Sequence, residues 1–107
     1  MTYEELVKKV SDMAAGANAS KIQGHVAFQF NIEGEAAGAF YLEITDGKVN
    51  VQPYEYHDRD VLVTCTADTL LKIVGGKLDP ILAFTTKKIR VEGDLGKAVL
   101  LKEIVGK

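Results

Sequence analysis

The side chains able to do covalent or acid–base chemistry are few and scattered. The chain has two histidines and one cysteine among 107 residues. His25 opens an alternating segment, on its polar side. His57 lies in "YEYHDRD" beside Glu55, Asp58 and Asp60, where an acid–base or metal role competes with a plain solvated loop. The absence of a second nearby histidine favours the loop, because a metal needs several converging donors. Cys65 falls on the inward side of "VLVTCT" and reads as a small core residue. A nucleophile would need an adjacent base and an electropositive setting.

No GxGxxG, P-loop or GxSxG motif is present. "GDLG" at Gly93 to Gly96 is too short to cradle a phosphate and reads instead as strand exit, aspartate cap and helix start. Glu33, Glu35, Glu43 and Glu92 fall on turns or on outward strand positions. An enzyme working on an apolar substrate would want a carboxylate inside its cavity with a raised pKa. None falls on the inward set, so no catalytic residue, metal ligand or cofactor is expected.

The elements that must position anything else follow from periodicity. Tyr3, Leu6, Val7, Val10, Met13, Ala14 and Ala17 recur at helical spacing. Thr2 and Glu5 offer a capping box, with Gly16 and Asn18 as the stop. The period then becomes two. Val26, Phe28, Phe30 and Ile32 share one face of a strand, and Phe40, Leu42 and Ile44 share one face of the next. Asp46–Gly47 predicts a tight hairpin into a third strand carrying Val49 and Val51, ended near Pro53. Val61, Val63 and Cys65 mark a fourth strand. Thr66 caps a short helix that Gly75 and Gly76 close, and Asp79–Pro80 starts another. Ile89 and Val91 point inward from a fifth strand, "KKIRVEG". Asp94 caps a last helix to about Val105. The expected fold is α+β: one domain over residues 1–107, with a five-stranded, mostly antiparallel or mixed sheet covered on one face by helices.

Composition sets bounds. Hydrophobic residues make up 47% and charged residues 26%, which suits a globular domain. A net charge of −2 argues against a nucleic-acid partner. One cysteine forbids an internal disulfide, the first ten residues hold no signal-like apolar run, and nothing approaches the ~20 apolar residues of a membrane span. A cytoplasmic protein is the expectation.

Two stretches carry more apolar surface than a single stripe needs. In the last segment Leu95, Ala98, Val99, Leu100, Leu101, Ile104 and Val105 spread around most of a helix. Such a helix meets apolar material on more than one side: a buried or dimeric environment, or a sheet on one side and a cavity, lipid or membrane on the other. In "LLKIVGGKLDPILAF" the apolar residues sit on two short helices hinged by Gly75 and Gly76. Short hinged helices can leave a dry apolar space above a sheet.

At these residues the chain resembles the type-2 sterol carrier protein family, from about Gly24 to Val105. The resemblance rests on "VAFQFNI", "AFYLEITDGKV", "DVLVTCTADTLLKIVGGKLDP" and the ordered set "GGKLDP…AF…IRVEGDLG". Two positions depart: Thr86 and Lys87 stand where the family often has a glycine before the fifth strand, and Tyr54 where it often has another. The resemblance implies a hydrophobic tunnel between sheet and helices. It also implies non-catalytic binding of fatty acids, fatty acyl-CoA or sterol-like lipids.

On that reading the ligand-facing residues are Phe28, Phe30, Phe40 and Leu42 from the sheet. Leu71, Val74, Ile81, Leu82 and Phe84 come from the short helices, Ile89 from the fifth strand, and Val99 and Leu101 from the last helix. Lys87 or Lys88 could meet an anionic headgroup. The partner is then a lipid, with transient membrane contact allowed and a monomer or homodimer as the unit. The competing reading is an interaction or dimerisation module whose core is filled by its own side chains. An enzyme on an apolar substrate is the third, and needs an inward polar group.

Overall fold

The computed structural model describes residues 1–15 and 22–104. The chain runs through α1 (Tyr3–Ala15), β1 (His25–Glu33), β2 (Gly38–Thr45), β3 (Lys48–Gln52), β4 (Val61–Thr66), α2 (Ala67–Val74), α3 (Pro80–Thr85), β5 (Arg90–Gly93), α4 (Leu95–Ala98) and α5 (Leu101–Ile104). The strands form one sheet in the order β3-β2-β1-β4-β5. β1 pairs with β4 in parallel, and the other three pairings are antiparallel. The fold is α+β with a mixed five-stranded sheet.

The register explains the core. Phe30 faces Phe40 across one ladder and Val63 across the other, while Phe28 faces Leu42 and Val61. Val63 faces Val91, and Leu42 faces Val51. The inward residues of all five strands therefore line up as one apolar face. The Phe30 and Phe40 rings lie 5.3 Å apart at 31°. α1 buries Leu6, Val10 and Ala14 and packs on β3 and α2, and α2 buries Leu70 and Ile73. The predicted helix residue Ala17, the stop at Gly16 and Asn18, and Val105 lie outside the described residues.

The local signals formed where they were expected. Thr2 and Glu5 exchange hydrogen bonds of 2.8 and 3.1 Å as a capping box. Asp46 and Gly47 both have positive φ, 49° and 84°, which is the geometry of a type I′ hairpin turn. The Thr66 hydroxyl accepts from the Thr69 N–H. α2 ends in a Schellman motif: the Lys77 N–H reaches the Lys72 carbonyl at 2.8 Å and the Gly76 N–H reaches Ile73 at 3.0 Å.

Three features depart from the sequence reading. The last helix is two four-residue helices, α4 and α5. Their junction is held by bonds of the i→i+3 type, from the Leu100 N–H to Lys97 and the Lys102 N–H to Val99. That tighter turn changes the phase of the side chains. β5 is shorter than "KKIRVEG", starting at Arg90, with Ile89 buried just ahead of it.

The outer face of β1 is also covered. Ala27 and Gln29 are buried beneath residues 53–60. The Gln29 Oε1 accepts from the Tyr56 N–H at 3.0 Å and from Arg59 at 3.3 Å, while its Nε2 donates to Asn31 at 2.9 Å. A buried amide is tolerable when its polar atoms are so matched.

Candidate functional site

An apolar cavity of about 170 Å³ opens at the β4–β5 end of the sheet, between α3, α4 and α5. Ile81, Phe84, Ile89, Val99 and Leu101 line it, as do Val63, Pro80, Val91, Leu95 and Ala98. All ten side chains are hydrocarbon. Val63 and Val91 form the floor from the sheet. Pro80, Ile81 and Phe84 form one wall from α3, and Leu95, Ala98, Val99 and Leu101 form the other.

Each wall is set by short-range chemistry. The Asp79 carboxylate accepts from the Ile81 N–H at 2.7 Å and the Leu82 N–H at 3.4 Å, and Pro80 takes the first helical position. α3 closes in a second Schellman motif, from the Lys88 N–H to Ala83 at 2.8 Å and the Lys87 N–H to Phe84 at 3.1 Å. Lys87 is left-handed there, with φ 64°, a conformation that costs a non-glycine residue energy. Asp94 caps α4 through the Lys97 N–H at 3.1 Å. Gly93 has φ 107°, and a Cβ there would come within 2.4 Å of the Asp60 carbonyl, so only glycine lets β5 lie this close to β4.

Ion pairs tie the walls down. The Asp60 carboxylate accepts from the Ala27 N–H at 2.8 Å and meets the Lys97 ammonium at 3.0 Å. Burial pulls the Asp60 pKa upward, but the Ala27 hydrogen bond and Lys97 outweigh it and hold it below the ordinary value. Lys97 is raised in turn by Asp60. Lys102 meets Asp79 at 3.2 Å, joining α5 to the cap of α3. The Ile81 N–H and then Lys102 lower the Asp79 pKa.

The mouth is apolar. Ile81, Phe84, Leu95 and Val99 line the cavity and are each 45–54% exposed.

Five of the twelve residues singled out from sequence line this cavity: Ile81, Phe84, Ile89, Val99 and Leu101. Phe28, Phe30, Phe40 and Leu42 are spent on the close-packed core, and Val74 is buried with them. Leu71 is half-buried against that core, and Leu82 faces solvent on α3. Sequence reasoning passed over Val63, Pro80, Val91, Leu95 and Ala98. The inward alternation of β4 and β5 pointed to the two valines. Leu95 and Ala98 lie on the last segment, whose apolar spread pointed to a second apolar neighbour without saying which residues would meet it, and nothing local marked Pro80.

The chemistry-bearing residues lie elsewhere. His25 Nε2 is 2.6 Å from Glu43 on the outer sheet face, with the Tyr56 hydroxyl 3.0 Å from each. The His25 hydrogen bond holds the Glu43 pKa below the ordinary carboxylate value. His57 is exposed in the β3–β4 loop. Burial pushes the Cys65 thiol up to about 12, so it is a thiol at neutral pH. Among the described residues no cluster of three or more metal-ligating side chains occurs, and no helix is long and apolar enough to cross a membrane.

Known proteins share this architecture. Residues 4–106 match the SCP-2 sterol transfer family. Hydroxysteroid dehydrogenase-like protein 2 of Xenopus laevis is 31% identical over 106 residues, covering 98% of this chain and 24% of that protein. The chain thus spans about a quarter of the length of the curated relatives it matches. A double mutant of the sec-alkyl sulfatase PisA1 superposes with a TM-score of 0.78 at 20% identity, covering 94% of this chain and 16% of that one.

Sterol Carrier Protein 2 Like 2 from Aedes aegypti superposes with a TM-score of 0.68 at 22% identity, covering 95% and 94% of the two chains. Its palmitated form in solution gives 0.61 at 24% identity, covering 96% and 93%. With the family match spanning nearly the whole sequence and the same mixed sheet beneath the same helices, this chain belongs to the SCP-2 sterol transfer family.

Proposed function

We propose that residues 1–107 form a single lipid-binding domain. It would take the apolar part of a fatty acid, fatty acyl-CoA or sterol-like molecule into the β4–β5 cavity and pass it on without a catalytic step. The observation that carries this reading is the cavity's lining: ten hydrocarbon side chains around about 170 Å³, open at an exposed apolar mouth. A site that is dry and without a polar anchor selects for apolar shape and leaves the headgroup outside. Exposed Lys87 and Lys88, directly after α3, suit an anionic headgroup. Palmitate on the Aedes relative supports a fatty-acyl ligand.

Size sharpens the proposal. An apolar cavity of about 150 Å³ takes one benzene molecule. The space here therefore holds the end of an acyl chain or one ring of a sterol. A longer ligand would extend into a tunnel by parting α3 from α4 and α5, which the partly exposed Lys102–Asp79 pair only weakly opposes. Val63 lies between the cavity and Phe30, so a deeper ligand would approach the phenylalanine core through it. Burying a C16 chain would supply on the order of 10 kcal/mol before ordering costs. The single cysteine, protected as a thiol, suits a reducing cytoplasmic setting.

Titration of delipidated protein with a fluorescent long-chain fatty acid tests the reading, followed by displacement with palmitoyl-CoA and with a sterol. Saturable binding at micromolar concentration or tighter is expected, and the order of displacement names the ligand class. A folded, delipidated protein that takes up none of the three would overturn it.

A further inference from the structure

The mouth of the cavity is one part of a larger exposed surface. α3 has six residues, and three of them, Ile81, Leu82 and Phe84, are large, apolar and about half exposed. Leu95 and Val99 of the opposite wall continue the patch. Leu82 does not line the cavity, so a ligand in the cavity would not explain its exposure.

Charge is distributed with the same polarity. Residues 1–76 carry six basic and eleven acidic side chains, a net charge of −5. Residues 77–107, which hold α3, β5, α4 and α5, carry seven basic and four acidic ones, a net charge of +3. Lys77 precedes α3, and Lys87 and Lys88 follow it. All three are exposed, and none meets a carboxylate within ion-pair distance among the described residues. An apolar patch flanked by unpaired lysines, on a chain that is otherwise negative, matches an anionic bilayer. The patch would enter the acyl boundary while the lysines remain among the headgroups.

We propose that α3, with Leu82 at its outer edge, docks this protein on anionic membranes, and that the cavity mouth faces the bilayer while docked. The −5 remainder of the chain sets the orientation, since it is repelled by the same surface. This inference goes beyond lipid uptake and does not require it.

Co-sedimentation of the 107-residue chain with vesicles tests it, using pure phosphatidylcholine and phosphatidylcholine containing phosphatidylglycerol. Binding is expected to the anionic vesicles, to be weak on neutral ones, and to fall as salt is raised. Leu82→Asp should lower the affinity at least tenfold. Lys77→Glu should lower it at least fivefold, the loss of one lysine near such a surface being worth about that much before the added negative charge. Far-UV circular dichroism checks that both variants fold. Lys77→Glu should also leave the fatty-acid titration unchanged, so the failure of docking and the failure of lipid uptake are separately visible. Equal binding to neutral and anionic vesicles, wild-type binding by both folded variants, or concentration-dependent dimers without vesicle binding would each overturn the proposal.

Discussion

The two ends of the sheet use their apolar residues differently. Under α1 and α2, the strands β1 and β2 bury Phe28, Phe30, Phe40, Leu42 and Ile44 to 0–2% exposure, and Leu6, Val10, Leu70 and Ile73 close over them. At the β5 end, residues of the same kind surround a void or face solvent. The difference traces to element length. α1 has thirteen residues and α2 eight, enough to lay a continuous apolar stripe on the sheet. α3, α4 and α5 have six, four and four, and β5 has four. Helices so short depend on their caps and neighbours. They cover the sheet as separate pieces, and gaps remain between them. One end thus packs as a foundation, and the other leaves an apolar cavity with an exposed mouth.

Truncations should separate the two ends. Phe30→Ala is expected to cost about 3–5 kcal/mol of stability, because the fully buried ring leaves a cavity in a dense core. Phe84→Ala should cost less than about 1.5 kcal/mol, since its ring is half exposed. Urea denaturation of the two variants reads this directly, and equal losses would erase the distinction. Ligand affinity should reverse the order. Phe84→Asp should weaken fatty-acid binding at least tenfold while the protein stays folded, as a charge enters a hydrocarbon wall.

Acid should act on the site end through Asp60. Its pKa is lowered in the fold, so its contribution is present above about pH 4, the unfolded value, and is lost as pH falls through the lower folded value. Asp60→Asn should therefore be less stable than the wild type by about 1–2 kcal/mol at pH 7, through the Ala27 and Lys97 contacts, with the gap closing below about pH 4. A gap that stays constant with pH would remove the carboxylate charge from the account. The smallest effect is expected at the end of α3. Lys87→Gly should stabilise the protein by about 1 kcal/mol, by relieving the left-handed backbone at φ 64°. Thermal denaturation measures it.

What was legible in the sequence was local or periodic. Asp79–Pro80, Thr66, Asp94 and Asp46–Gly47 each act within four residues, and each cap and turn formed as read. Alternation along β1, β2 and β4 placed the inward face correctly. The rest depends on partners distant in sequence. Phe28 and Ile89 look alike as inward hydrophobes, yet one meets Leu42 and Val61 across two ladders while the other borders open space. Pattern alone does not report how much of a face its neighbours will cover. The burial of Gln29 depends on where residues 53–60 come to rest, and a polar loop has no period to announce it. The break between α4 and α5 contains neither proline nor glycine at its junction, so only its i→i+3 bonds reveal it.

The most direct test compares the two ends within one sample. Methyl-resolved NMR of the delipidated protein, titrated with stearate bearing a spin label on its chain, reports which methyl groups the ligand approaches. Broadening is expected first at Ile81, Ile89, Val99 and Leu101, with Leu6, Val10 and Ile44 unaffected. Broadening confined to the α1 side, or spread evenly over the surface, would contradict a lipid site at the β4–β5 end.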